Sequence, residues 1–477
     1  MKLKHFTLTF LTLSLAIILT PKAAKAATFS TLATGLDNPR GTAFGPDGSL
    51  YITETGRGGD GKDNRCIPSP SSQFIPLCAG NTGSLIRITP EGKQETVLPD
   101  LPSLALTPSG EQGAGPADIK FDNKGNAYLL TGYAGNPDTR ETVLKTPSLG
   151  QLFKLDLNTK SLTSIADFAA YEIKNNPDGT DIITNPYAMD IIGNTAYVVD
   201  GGGNTIYSVG LDGSGIKNVA AFPTREIDRS QLQFPSLPPS AEAQQQLLAS
   251  NVQPGQTDTP SGPPPGSPPL GNPPSGNPAT DLSGTQAFPI TFQSVPTAIA
   301  TAPDGTLTVG EYTYFPYPEN KARIFSVDPN NLSNIKVIAD GFTQLTGVTY
   351  DQEGNLYALQ HMNQSEWKGI QQGGVVTGDI SGSLIKIGKD GTRSTIWSGN
   401  GLEVGSGLTL DPKDGSLVIS NRARLAETGQ VIRIDPKAGR KIPEPTSVIS
   451  LIVAGALGIT SLNKRKRKDA TKVKTAV

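Results

Sequence analysis

The chain has 477 residues, and its 41 Lys and Arg against 43 Asp and Glu leave a formal charge of −2. That balance carries no electrostatic footprint for nucleic acid. With 53 Gly, 39 Pro and few aromatics the composition suits a turn-rich β protein, although the length alone allows two or three domains.

The N-terminus reads as a targeting segment. Lys2 and Lys4 precede an apolar run from Phe6 to Leu19, and Ala24-Lys25-Ala26 offers small residues at a cleavage position. This pattern predicts a secretory signal peptide over residues 1–26, removed by signal peptidase. From residue 27 to 440 one pattern recurs six times. The copies begin PRGTAFGPDGSLYITE at Pro39, PADIKFDNKGNAYLLT at Pro116, PYAMDIIGNTAYVVD at Pro186, PTAIATAPDGTLTVGE at Pro296, TGVTYDQEGNLYALQ at Thr346 and GSGLTLDPKDGSLVIS at Gly405. Each shows short period-2 segments separated by Gly, Asp and Asn turns, the pattern of antiparallel strands. Four strands per copy, repeated radially, predict a β-propeller, and the repeats override the length prior. The sixth copy stops after three strands at Asp435-Pro436, and FSTLATGL, Phe29 to Leu36, resembles the missing outer one. The expected fold is therefore all-β, a six-bladed β-propeller closed by an N-terminal strand.

Insertions and the C-terminus complete the chain. Cys66 and Cys78 lie in one Pro- and Ser-rich insertion and are expected to pair in an oxidising compartment. Residues 223–292 interrupt the repeats between copies three and four, and 254–278 is Pro, Gly and Ser with almost nothing to bury, so it is expected to be disordered. Pro443-Glu444-Pro445 is followed by an apolar run and then by Lys464-Arg465-Lys466-Arg467-Lys468. A transmembrane helix over 446–462 is just long enough to span, with the basic cluster on the cytoplasmic side. This order over 441–477 resembles the PEP-CTERM sorting signal. The resemblance implies processing by an exosortase-type enzyme, at least transient membrane anchoring, and a secreted, periplasmic or cell-surface protein.

Loop lengths select a functional face. The turns between first and second strands are tight, whereas the loops after the second strands are mostly long, and decorated loops carry binding. Second strands end at Glu54, Asp200, Glu311, Gln360 and Asn421, and the first strands begin nearby with Arg40, Asp118 and Tyr187. Glu54, Asp200, Glu311 and Asn421 are oxygen donors suited to one divalent cation, Ca²⁺ or similar, with capping of backbone amides as the alternative. Tyr312, Tyr314, Phe315 and Tyr317 form an aromatic loop, which with Arg40, Asp118, Tyr187, Gln360 and His361 is the expected ligand-binding set. The catalytic inventory is poor. His361 is the only histidine beyond the signal segment, and neither a nucleophile elbow nor a phosphate loop is present, so catalytic residues are unassigned.

Three passages, NPRGTAFGPDGSLYITETG at Asn38, NPYAMDIIGNTAYVVDGGGNTIYSV at Asn185 and VPTAIATAPDGTLTVGEYTYFPYP at Val295, resemble the cyanobacterial ScyD/ScyE family. That family is named after genes clustered with biosynthesis of the pigment scytonemin. The resemblance runs from about Asn38 to Pro436 and implies an exported six-bladed propeller of the NHL or gluconolactonase-like kind; it brings no catalytic residues. Gluconolactonase-like propellers hold a divalent cation with a Glu, Asn and Asp set, which the four strand-end residues resemble in type. Two readings follow. One is a non-enzymatic envelope or matrix propeller that binds a small molecule or an extracellular matrix or protein partner. The other is a metal-dependent hydrolase or lyase acting on a small lactone or an aromatic precursor.

Overall fold

The computed structural model describes residues 26–71, 75–232, 289–331, 334–369 and 378–440. The signal segment, most of the Pro-rich insertion, and the sorting segment with its span at 446–462 lie outside the described residues. Among the described residues no helix is long and apolar enough to cross a membrane. Phe29–Asp435 forms one compact unit, and 26–28 and 436–440 group apart from it.

Within that unit the repeats become antiparallel sheets. The second comprises Pro116–Phe121, Ala127–Thr131, Gln151–Asp156 and Ser161–Asp167. The third comprises Pro186–Ile192, Thr195–Asp200, Thr205–Gly210 and Ile216–Ala221. The fourth comprises Pro296–Thr301, Leu307–Glu311, Ala322–Val327 and Ile335–Phe342. The fifth comprises Leu345–Tyr350, Leu356–Gln360, Ser381–Ile387 and Arg393–Glu403. The sixth comprises Ser406–Leu410, Leu417–Asn421 and Gly429–Arg440, with Ala26–Leu36 as its outer strand. A short ribbon, Arg225–Ile227 with Ile290–Phe292, flanks the Pro-rich insertion.

The first sheet is larger than its repeat predicts. Pro39–Phe44 and Leu50–Glu54 pair as expected, but Pro76–Ile88 and Gln94–Leu106 are long, and Cys66–Pro68 and Glu111–Ala114 add to them. The cysteine insertion is thus sheet rather than loop. Its strands are held by an apolar cluster of Ile67, Leu77, Leu104 and Leu106 against Tyr133, Leu144 and Leu149 of the second copy. Cys66 and Cys78 face each other across the strands and form a disulfide.

The first strands of successive sheets touch in sequence, and that of the sixth touches that of the first. The arrangement is that of a β-propeller. Cores lie between neighbours: Tyr51, Leu85, Ile119 and Leu129 join the first and second sheets. Leu36, Ile52, Ile86 and Val418 join the sixth to the first. The tight turns have a local cause. Asp122 accepts the backbone N–H of Lys124 and Asn126 at 2.9 and 2.8 Å, while Gly125 takes a φ of +82° that a side chain would resist. Asp351 and Gly354 repeat the device in the fifth copy.

Glu172 is a buried acid with no cationic partner among the described residues. Glu172, on the helix Phe168–Asn175, accepts the Tyr207 hydroxyl at 3.0 Å, and its other oxygen has no partner. Burial, with Asp200 and Asp178 nearby, pushes its carboxyl up to about 7. A folded-state value above the unfolded one gives stability that is complete below the unfolded pKa and lost as pH rises through the folded one. Unfolding midpoints are therefore expected to fall between pH 5 and 8. Glu172→Gln is expected to flatten that fall; an unchanged slope in the variant would refute this role.

Candidate functional site

A cavity of about 880 Å³ opens among the loops that follow the second strands. Its floor comes from first-strand starts, namely Arg40, Tyr187 and Ser406. Its walls come from loops: Tyr312, Tyr314 and Tyr317 of the fourth copy, His361 and Glu366 of the fifth, and Arg424 of the sixth.

The wall is built around one ion pair. Arg424 is 7% and Glu366 8% exposed, and the guanidinium donates to the carboxylate through Nη1. Burial alone would push the Glu366 carboxyl up, but Arg424 and the Tyr312 hydroxyl overcome it and hold the group below its ordinary value. Tyr312 donates to Glu366 Oε2 at 2.7 Å, and Gln344 Nε2 donates to the same oxygen at 3.3 Å. Burial and the Glu366 charge drive the Tyr312 hydroxyl well above its usual range, so it stays protonated. Glu366 thereby ties the aromatic loop to the fifth and sixth copies.

The aromatic loop is fixed at further points. Tyr314 donates to the Pro70 carbonyl, reaching across to the first copy's insertion. Glu319 accepts the Ser365 amide at 2.8 Å and Lys368 Nζ at 2.7 Å. Thr313 and Tyr317 hold φ values of +71° and +50°, a region costly for bulky side chains and kept where packing over-determines the backbone.

His361 is 4% exposed and lies beside Tyr312, with ring centroids 5.5 Å apart. Its Nδ1 is 2.8 Å from the Gly405 carbonyl, which can only accept, so Nδ1 carries the proton. Burial, with Arg424 and Arg40 nearby, lowers the imidazole to about 4. At neutral pH the ring is uncharged, and Nε2 is a bare acceptor with no protein partner among the described residues. Arg40 lies over the Tyr187 ring, 4.4 Å from its centroid, and donates to the Gly113 carbonyl at 2.8 Å. Tyr187 Oη is 3.1 Å from Ser406 Oγ, next in the chain to Gly405.

Six of the nine expected ligand-binding residues therefore line the cavity: Arg40, Tyr187, Tyr312, Tyr314, Tyr317 and His361. The other three do not. Asp118 is buried between first strands, accepting the Ile119 and Met189 amides at 2.9 Å each. Gln360 turns back to accept the Thr343 amide at 2.8 Å. Phe315 packs edge-on against Tyr317.

The four expected cation ligands are not brought together. Glu54 accepts the Asp37 amide at 2.9 Å and the Ser84 hydroxyl. Asp200 accepts the amides of Asn185, Gly202 and Gly203 at 2.6, 2.9 and 2.9 Å. Glu311 pairs with Arg225 and Arg323. Asn421 accepts the Glu403 amide and donates to the Gly401 carbonyl, both at 2.8 Å. Each is consumed by groups next to it, and none lines the cavity. Among the described residues no cluster of three or more His, Cys, Asp or Glu side chains could hold a metal ion. For Glu54, Asp200 and Asn421 the capping alternative applies instead, because they satisfy nearby backbone amides, whereas Glu311 is taken up by its two arginines.

Sequence reasoning missed Glu366 and Arg424. Their only signal is position: both sit in loops after second strands, as His361 and the tyrosines do.

Neither a protein-family model nor a curated protein matches the sequence. Solved structures do. A gluconolactonase from Xanthomonas campestris is 10% identical, with 87% of this chain and 92% of that chain covered and a TM-score of 0.44. A virginiamycin B lyase from Staphylococcus aureus is 10% identical, with 86% and 99% covered and a TM-score of 0.37. A PQQ-bound aldose sugar dehydrogenase from Streptomyces coelicolor is 11% identical, with 86% and 99% covered and a TM-score of 0.41.

Removing one partner of the Glu366–Arg424 pair strands a buried charge, a loss of about 3–5 kcal/mol. Arg424→Met is expected to lower unfolding stability by that order in denaturant titrations. Adding Glu366→Gln is expected to recover part of it; a double variant as weak as the sum of the singles would show the two do not couple.

Proposed function

We propose that this chain is an exported six-bladed β-propeller that binds a small organic ligand in the cavity on its loop-decorated face. The observation that carries this reading is the cavity itself. Its volume of about 880 Å³ falls within the roughly 300–1,000 Å³ of small-molecule sites. It combines an aromatic wall with a few converging polar groups. Such a concavity favours a small molecule over a matrix or protein partner. Six sheets whose first strands touch in cyclic order support the blade count. Export, exosortase-type processing and surface or extracellular location rest on the two ends of the sequence, and a link to pigment biosynthesis rests on the ScyD/ScyE resemblance.

A second reading, hydrolase or lyase, is favoured by one observation: an uncharged histidine with a bare Nε2 in the cavity wall. In that reading His361 is the base. A divalent cation there needs ligands other than Glu54, Asp200, Glu311 and Asn421.

The ligand-binding reading is tested with a neutral aromatic probe, 4-hydroxyphenylacetamide, by ligand-observed NMR on the full-length protein. Thr291 is exposed on the cavity rim. Thr291→Trp is expected to weaken binding at least tenfold with the unfolding midpoint unchanged. Binding insensitive to this substitution would place the probe elsewhere and contradict the reading.

A further inference from the structure

We propose that the cavity takes an aromatic monocarboxylate bearing a hydroxyl or amino donor, with Arg40 holding the carboxylate and His361 Nε2 accepting from the donor; this rests on the ligand-binding reading above. Arg40 stands apart from the other arginines nearby. Arg424 is neutralised by Glu366, and Arg225 and Arg323, which share Glu311, do not line the cavity. Arg40 forms no ion pair among the described residues, and the Gly113 carbonyl is the acceptor it meets. Its Nε is buried without a partner. A part-buried guanidinium without a counter-ion is costly, and a planar carboxylate answers it best through charge-assisted, forked hydrogen bonds. A phosphate dianion calls for a second free cation, and Arg424 is already committed.

The acceptor sits close by in the same framework. Arg40 stacks on Tyr187, Tyr187 reaches Ser406, and Gly405 fixes the His361 ring with Nε2 left over. An acceptor that no protein donor meets among the described residues favours a ligand that supplies one. The aromatic body follows from the wall, where Tyr312 and Tyr314 each meet Tyr317 edge-on at 6.2 Å. Two acids also line the cavity: Glu366 is paired with Arg424, and Asp181 is solvent-exposed.

The test is calorimetric titration of the full-length protein at pH 7 with four probes. These are 3- and 4-hydroxyphenylacetate, phenylacetate, which lacks the donor, and 4-hydroxyphenylacetamide, which lacks the charge. The better hydroxy acid is expected to bind at least tenfold tighter than the amide, as loss of a hydrogen bond to a charged group implies, and several-fold tighter than phenylacetate, which leaves the neutral His361 acceptor without its donor. Arg40→Gln is expected to erase the acid-over-amide preference. If that variant does not fold, the wild-type ratios decide. An amide that binds as well as the acids would overturn the anion assignment and leave the cavity as a binding site. An acid preference that survives Arg40→Gln would remove Arg40 from the role. Phenylacetate equal to both hydroxy acids would remove His361. Binding of none of the four would overturn this inference and the reading beneath it.

Discussion

Four segments far apart in the chain meet at one carboxylate. Glu366 binds Arg424, accepts Tyr312 and accepts Gln344, and so joins the fourth, fifth and sixth copies on the cavity side. Two charges in such a place are tolerated only when paired and hydrogen-bonded. That requirement fixes the aromatic loop relative to His361, because Tyr312 touches both. It also takes the Arg424 charge out of play, which leaves Arg40 as the cation available to a ligand. The shape of the cavity and the sign of its charge thus share one physical origin.

Much of the fold is legible in the sequence because its causes are local. In the second copy, Asp122 and Gly125 place a turn through hydrogen bonds and a backbone angle that involve no distant residue. The alternation of Leu129 toward the core shared with the first sheet and Tyr128 toward that shared with the third follows from the pleat. Phe29 to Leu36 is readable as an outer strand because the sixth copy lacks one, and Ala26–Leu36 pairs there. The first sheet is the exception. Gly80, Gly83 and Asn81 break the alternation that would have announced the long strand Pro76–Ile88, whose place is set by packing against Tyr133 and Leu149.

The site is legible only in part, for a related reason. Aromatic loop residues and His361 mark the right face because loop length marks it. Partnership across the face is another matter: Glu366 and Arg424 are 58 residues apart, and sheet order alone brings them together. The strand-end acids mislead in the opposite direction. Residue type made Asp200 a cation ligand, whereas three nearby amides claim it first. Asp200 and Glu54 meet nearby backbone N–H groups before they meet anything across the cavity.

The ligand assignment depends on a neutral His361 in the cavity wall, with Nδ1 protonated and Nε2 free to accept. Nitrogen-15 NMR of histidine-labelled protein tests it directly, with a His5→Gln variant to assign the second histidine. An Nδ1–H tautomer at pH 7 that titrates near 4 is expected. An Nε2–H tautomer, or an imidazolium at pH 7, would contradict it and remove the acceptor on which the ligand assignment depends.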